Sequence, residues 1–323
     1  MSRTIAIIAG EPNSVSSEII FKSWIERKNF FHKPFIVIGS VKLLNLQKKK
    51  LKFNIKIKQV NNSLSLKNIK KNELPVYNVD YNQKNPFEKV SIKTNKYIFN
   101  CFAVAIKFLK NKKIVGLINC PISKETLFRE KHQGITEFLS KKTGRKGKEV
   151  MLLFNEKLSV SPLTTHISIK HVHKKILKTK ILDKVKTINK FYLKSLKKKP
   201  KIAILGLNPH NFYSKKEFKE KKIILSLVKK IKHLKINIIG PISPDTSFMF
   251  YKDKKIDVIL GMYHDQVLTP FKALFKYDAI NITLGLPFIR LSPDHGIAKD
   301  IAGKKIANPK SLIQSIKFFN YIK

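Results

Sequence analysis

The chain has 323 residues, 43% of them hydrophobic and 27% charged, with 12 glycines and 14 prolines; this excludes collagen-like and disordered chains and suits one large domain or two medium ones. Two cysteines, Cys101 and Cys120, are too few for a disulfide framework and read as small buried residues of a reducing, cytoplasmic compartment. No apolar run approaches the ~18 residues of a membrane span. The net charge of +45 points by itself to nucleic acid or an anionic membrane. Only five of the 66 basic residues are arginine, however, the side chain that reads guanine with two parallel bonds. The lysines spread along the whole chain, and Lys, Ile, Asn and Phe are abundant together, as a coding bias towards A and T produces. They read as a solvated surface that steers anionic substrates, with no specific nucleic acid and no membrane.

In chain order, short β-branched runs bounded by Gly, Pro or Asn read as buried strands. They are Thr4 to Ala9, Phe35 to Ile38, Ile114 to Ile118, Val150 to Phe154, Ile202 to Leu205, Ile236 to Ile239, Val258 to Leu260 and Ala279 to Leu284. The apolar run Ile5 to Ala9, followed by Glu11, is a first strand and not a signal peptide. Leu51 to Val60 alternates apolar residues with lysine, as a half-exposed strand does, and Asn61 to Lys71 reads as a surface excursion. Between strands, Tyr97, Cys101, Ala105, Ile106 and Leu109 share one face at helical spacing, as do Ile223, Leu227, Val228 and Ile231. Strand–helix alternation of this kind gives an α/β fold with a largely parallel sheet. A domain boundary is expected near Pro121 to Gln133.

Ligands of open α/β sheets bind beyond the carboxyl ends of the strands. The loops that matter are therefore Gly10-Glu11-Pro12, Asn119-Cys120-Pro121, Asn208-Pro209-His210, Gly240-Pro241 and Met262-Tyr263-His264-Asp265-Gln266. Of the nine histidines, His32, His132, His171, His173 and His233 sit among lysines and read as surface residues. His166, His210 and His264 fall in loops at the ligand edge, with apolar or small neighbours. Three neutral imidazoles with open positions make a catalytic metal site; otherwise they are separate hydrogen-bonded loop histidines. His295, after Asp294, is either a further polar group of this edge or part of a turn. No Gly-x-Gly-x-x-Gly, Walker A or Gly-x-Ser-x-Gly sequence occurs, which disfavours a Rossmann dinucleotide fold, a P-loop enzyme and an α/β-hydrolase.

These loops carry a resemblance. Met262-Tyr263-His264-Asp265-Gln266 is followed by Pro270-Phe271-Lys272, by Asn281 to Arg290, by Asp294-His295-Gly296 and by Ala302-Gly303. Upstream stand Pro121-Ile122-Ser123-Lys124, Thr136-Glu137-Phe138-Leu139, Thr164-Thr165-His166, Gly206-Leu207-Asn208-Pro209-His210, and Gly240-Pro241 with Asp245-Thr246. In this order, nearly end to end, they make the chain resemble the 4-hydroxythreonine-4-phosphate dehydrogenase family of pyridoxal phosphate (vitamin B6) biosynthesis.

The resemblance implies an isocitrate/isopropylmalate dehydrogenase-like fold: two α/β/α domains with an interdomain cleft, in a homodimer. Residues 1–128 with 300–323 are expected to form one domain, and 129–299 the second. It implies a divalent metal (Zn, Mg or Co) on His166, His210 and His264, in a site completed across the dimer interface, and NAD+ or NADP+ as hydride acceptor at residues the sequence does not identify. It implies substrate binding by Thr136, Lys272, Asn281 and Arg290, a cationic set that suits a phosphorylated amino acid. Lys272 and Asp245 are the candidates for the catalytic proton acceptor. The implied reaction is oxidative decarboxylation of 4-phosphohydroxy-L-threonine.

Two departures stand out. Ile135 occupies the place of a substrate-contacting histidine of the family. The glycine-rich first loop is reduced to Gly10 followed by Asn13-Ser14-Val15-Ser16-Ser17-Glu18, which must avoid the backbone angles only glycine takes easily; Asn211 to Ser214 is likewise glycine-poor. Ile135 keeps open a dehydrogenase of a four-carbon sugar-acid phosphate (erythronate or threonate 4-phosphate). A phosphate acyltransferase of similar fold would need acyl-CoA in place of NAD+ and no metal. A nucleic-acid-binding protein would use the +45 charge and bind any DNA or RNA in a salt-dependent way.

Overall fold

The structure, a computed structural model, describes residues 4–29, 35–61, 66, 69, 70, 72–128, 134–211 and 218–322. The chain forms two compact units, residues 1–139 with 287–321, and residues 140–286 with 322–323. The first unit holds strands β1 (Ile5–Ile8), β2 (Phe35–Gly39), β3 (Lys56–Val60), β4 (Glu73–Asn78) and β5 (Gly116–Asn119), with helices α1 (Ser16–Glu26), α2 (Val41–Lys50), α3 (Asn95–Lys110) and α4 (Lys124–Phe128). Helix α5 (Ile135–Lys142) starts in it and runs across the boundary. The second unit holds β6 (Val150–Phe154), β7 (Ser159–Thr164), α6 (Val172–Lys178), α7 (Ile181–Phe191), β8 (Ile202–Leu205), α8 (Phe218–His233), β9 (Ile238–Ile242), α9 (Pro244–Ser247), β10 (Val258–Tyr263), α10 (His264–Phe275) and β11 (Ile280–Leu284). The chain then returns to the first unit with β12 (Ile289–Pro293) and α11 (Lys310–Tyr321). Among the described residues no helix is long and apolar enough to cross a membrane.

In the first unit the strand order is β3-β4-β2-β1-β5-β12, all parallel. Every residue of β1, β2 and β5 is buried. A parallel strand covered on both faces has no polar side to show, which is why these segments read as unbroken apolar runs. In the second unit the order is β11-β6-β7-β10-β8-β9. Strands β7, β10, β8 and β9 are parallel, while β6 pairs antiparallel with β7 and β11. Val267, Leu268 and Phe271 of α10 pack into a core with Val160, Ala203, Leu205 and Ile259. Each such burial stabilises by roughly 1.5–3 kcal/mol, and together they fix the helix whose first residue is His264.

The α/β class and the eight expected strands are present, although β9 is half-buried beyond Ile238 where the sequence predicts a buried strand, and three further strands appear. Two of them, β4 and β7, carry Pro75 and Pro162 in register with Lys58 and Gly261 of their neighbours. Proline lacks the N–H of the ladder and argues against a strand in sequence; the third, β12, is short. The buried face of α3 is Tyr97, Ile98, Cys101, Phe102, Ala105 and Phe108, so the expected stripe is shifted away from Ile106 and Leu109. In α8 the buried residues are Ile224, Val228 and Ile231, while Ile223 is 47% exposed. The unit boundary leaves most of α5 and all of β12 in the first unit, whereas the sequence reading has them in the second. The reason is pairing: β12 lies beside β5, and Phe138 of α5 packs on Phe99, Phe102 and Phe128. Most of 61–71, part of the boundary segment (129–133), His32, His132 and residues 212–214 lie outside the described residues.

Among the described residues, seven of the ten non-glycine residues with positive φ are lysines, including Lys52, Lys112 and Lys235 just past the ends of α2, α3 and α8. Glycine is the usual residue there, and this chain has few. The left-handed conformation costs an L-residue about 1–2 kcal/mol, against about 0.5–1 kcal/mol of chain entropy for glycine. Lys112→Gly and Lys235→Gly are therefore expected to stabilise by roughly 0.5–1 kcal/mol each. Urea unfolding midpoints check this; a lower midpoint in either variant contradicts it.

Candidate active site

Three adjacent parallel strands, β7, β10 and β8, deliver the three singled-out histidines to the same edge of the second unit. His166 lies two residues beyond β7, His264 directly follows β10, and His210 ends the short loop after β8. Long-range side-chain bonds hold these ends together. The Thr164 hydroxyl donates to the Met262 carbonyl (2.8 Å), tying β7 to β10. Gln266 accepts from the Met262 N–H (2.7 Å) and donates to the Gly206 carbonyl (2.9 Å), tying the start of α10 to the end of β8. The Gly206 N–H in turn donates to the Ile242 carbonyl of β9 (2.9 Å).

His166 and His210 both adopt left-handed backbone, with φ of 47° and 51°. Apart from the lysines and Ala298 they are the only non-glycine residues among those described that do so. Such conformations persist only where their surroundings impose them, and they gather at functional sites. The rings of His166 and His264 lie 5.9 Å apart, centroid to centroid, inclined by 40°. Nδ1 of His264 is 2.7 Å from Oδ1 of Asp265, and Nδ1 of His210 is 3.0 Å from Oδ2 of Asp245. A carboxylate only accepts, so each Nδ1 carries the proton and donates, which leaves the ring's lone pair on Nε2. His210 also opens on a pocket of about 300 Å³ lined by Pro241, Ser243, Thr246, Phe250 and Lys254.

Two neighbouring imidazoles, inclined to each other, and a third held by a carboxylate are donors of the kind a divalent ion takes. Among the described residues no three His, Cys, Asp or Glu side chains converge as a ready-made cage. The set falls instead into a His166–His264 pair and a His210–Asp245 pair.

The remaining sequence-derived residues divide between the units. Lys272 is exposed in the last turn of α10, and Asn281 lies on β11 opposite Leu153 with its Oδ1 buried and unpartnered. Thr136 stands in the first turn of α5 and Ile135, 4% exposed, begins it. Arg290 of β12 is 4% exposed. Burial lowers its pKa to about 10, opposed by the Glu137 carboxylate, and its Nε donates to Oδ1 of Asn119 (2.7 Å). His295 Nδ1 lies 2.9 Å from the Gly296 carbonyl.

In the first loop only Gly10 has positive φ (78°), and a Cβ there would lie 2.5 Å from the Pro121 carbonyl oxygen. Ser14 and Ser16, in the stretch where the family has glycines, stay out of the left-handed region and close the loop with hydroxyls. Ser14 Oγ donates to the Glu11 carbonyl (2.6 Å), accepts the Ser16 N–H (3.1 Å) and lies 2.8 Å from Ser16 Oγ. Burial raises the Glu11 pKa, opposed by donors on the Asn13 N–H (3.3 Å) and the Thr94 hydroxyl (3.1 Å).

Gln266, Thr164 and Asn119 stand in recognisable motifs, but the sequence assigns them no role. Their partners lie 60, 98 and 171 residues away, beyond any local pattern. Asp265 is legible in principle, beside His264.

The fold is that of an α/β enzyme with three histidines gathered at one sheet edge, and comparison with known proteins gives the family. The family model of pyridoxal phosphate biosynthetic protein PdxA matches residues 31–319. A 4-hydroxythreonine-4-phosphate dehydrogenase of Sulfurihydrogenibium sp. (strain YO3AOP1) is 39% identical over 97% of this chain and 96% of its own. The protein of the same name from Aquifex aeolicus (strain VF5) is 35% identical over 98% and 97%. The crystal structure of 4-hydroxythreonine-4-phosphate dehydrogenase from Klebsiella pneumoniae superposes with a TM-score of 0.83 at 28% identity, covering 100% of this chain and 99% of that one. The chain belongs to the PdxA family.

Replacing Gln266 by Ala strands the Met262 N–H and the Gly206 carbonyl together. Each unmade bond to a buried group costs about 1–3 kcal/mol, so Gln266→Ala is expected to destabilise by roughly 2–4 kcal/mol. Denaturant unfolding reads this directly; a loss below about 1 kcal/mol would mean that water replaces both bonds.

Proposed function

We propose that this protein catalyses the NAD-dependent, metal-assisted oxidative decarboxylation of 4-phosphohydroxy-L-threonine to 3-amino-2-oxopropyl phosphate, a step of vitamin B6 formation in the cytoplasm. The observation that carries the reading is the delivery of His166, His210 and His264 by adjacent parallel strands, in a chain whose relatives bear that enzyme's name.

His166, His210 and His264 would hold the ion through Nε2, with Asp245 and Asp265 fixing the rings. Imidazole donors suit zinc or cobalt better than magnesium. A catalytic ion commonly takes three protein ligands, and a His166–His264 pair supplies two. A second copy of the chain, offering His210 with its Asp245, would supply the third, which supports a homodimer as the active form. When bound, the ion supplies Lewis-acid polarisation of the substrate hydroxyl and the nicotinamide, NAD+ or NADP+, supplies the hydride acceptor.

The chain's own groups do the rest. Arg290, Thr136, Lys272 and Asn281 are the groups assigned to the anionic substrate. Asn281 Oδ1, buried without a partner, is an acceptor waiting for a donor such as a substrate hydroxyl or ammonium. Asp245 bonds to His210 and so acts through it, which leaves Lys272 as the carrier of the proton that leaves the hydroxyl. As hydride departs, the hydroxyl carbon becomes a ketone. The bond between the adjacent amino-bearing carbon and its carboxylate then breaks with loss of carbon dioxide, the electron pair being taken up by the ketone as an enolate, and a proton returns to the amino-bearing carbon.

The test mixes purified protein with 4-phosphohydroxy-L-threonine, NAD+ and a divalent metal and follows NADH absorbance. NADH formation that a chelator abolishes is expected, and His264→Ala should lower kcat/KM by roughly 10²–10⁴-fold, the several kcal/mol that metal polarisation supplies. NADH from erythronate or threonate 4-phosphate alone would move the substrate to the sugar-acid phosphates, with Ile135 the first residue to revert to His. Full activity of His264→Ala with added metal would overturn the site.

A further inference from the structure

We infer that Asn119 is a positioning residue, whose side-chain carbonyl holds Nε of Arg290 and so fixes the plane in which the guanidinium meets an anionic group of the substrate. The inference rests on the reading that Arg290 grips substrate. Asn119 is the last residue of β5, and Arg290 lies on the adjacent β12, in register with Leu117. Both side chains are buried, at 3% and 4% exposure. The Asn119 amide is itself oriented, because its Nδ2 donates to the Cys120 carbonyl (3.2 Å) and its Oδ1 therefore turns to Arg290, at 2.7 Å from Nε. The strand end is further anchored where the Pro121 carbonyl accepts the Glu11 N–H (2.8 Å).

Arginine's value to an anion is the planar fork, and a free arginine side chain spreads that fork over many rotamers. A bond to Nε fixes the plane of the guanidinium. It also satisfies one of the five donors of a buried cation, which would otherwise be left without water. The Glu137 carboxylate favours the charged form, so the guanidinium remains a cation at neutral pH although burial opposes it.

The test is a double-mutant cycle on the intact enzyme, with steady-state kinetics in the phosphorylated substrate and in NAD+. Asn119→Leu keeps the volume and removes the acceptor. It is expected to raise the substrate KM roughly tenfold, with kcat and the KM for NAD+ within about threefold, as lost ground-state binding does. In an Arg290→Ala background the same Asn119→Leu change should leave the substrate KM within about twofold, because nothing remains to be positioned. A merely structural asparagine would impair both backgrounds alike, and that result overturns the inference. If Arg290→Ala raises the KM but Asn119→Leu does not, positioning fails while the grip by Arg290 stands. If Arg290→Ala itself leaves the KM unchanged, the reading of Arg290 fails first and the inference with it. Should Asn119→Leu not fold, Asn119→Ser, smaller and without the amide oxygen, enters the same cycle with the same outcomes.

Discussion

The second unit's functional edge depends on one side chain that no local pattern reveals as structural. Gln266 sits in the first turn of α10, accepts from the Met262 N–H and donates to the Gly206 carbonyl, so one amide clamps the end of β10 to the end of β8. With Thr164 bonded to the Met262 carbonyl, the ends of β7, β10 and β8 are tied to one another. His166, His264 and His210 issue from those three ends. Without the clamp, two residues in strained left-handed backbone would relax independently, and a donor set spread over about 100 residues of sequence would lose its registration.

The sheet explains why these histidines come to one edge although they are far apart in sequence. Parallel neighbours present their carboxyl ends on one side, and the order β7-β10-β8 puts three such ends next to one another. The core beneath, from Val160 to Phe271, makes that side rigid. Carboxylates on the Nδ1 nitrogens of His210 and His264 then choose the tautomer, so that Nε2 points the lone pair. The strongly basic surface complements this chemistry: a phosphorylated substrate is drawn towards a lysine-rich protein before any specific contact forms.

Much of this is legible in the sequence, and the exceptions have physical causes. The apolar runs of fully buried parallel strands announce themselves, and so do loops that end in histidine. Strands β4 and β7 are hidden by Pro75 and Pro162, each placed where the sheet forgoes a ladder bond. The faces of α3 and α8 differ from their expected positions because nearly every residue of those helices is apolar or lysine, which blurs the period. The exchange between units near β12 depends on a strand pairing across about 170 residues of sequence, and so does the Asn119–Arg290 bond. The loss of glycines, a threat to the first loop in sequence terms, is met by serine hydroxyls at 14 and 16 and elsewhere by lysines in left-handed backbone. The lysines carry that strain as a modest loss of stability at helix ends, away from the histidines.

The most direct measurement is the position of the ion. Crystals of the protein loaded with zinc or cobalt, with diffraction collected on both sides of the metal's absorption edge, give an anomalous difference map that shows where it binds. The three-strand site predicts one strong peak within about 2.0–2.3 Å of Nε2 of His166, His210 and His264, with the third donor coming from a second copy of the chain. A peak on other side chains, or none at saturating metal with the histidine pairs unchanged, would contradict it.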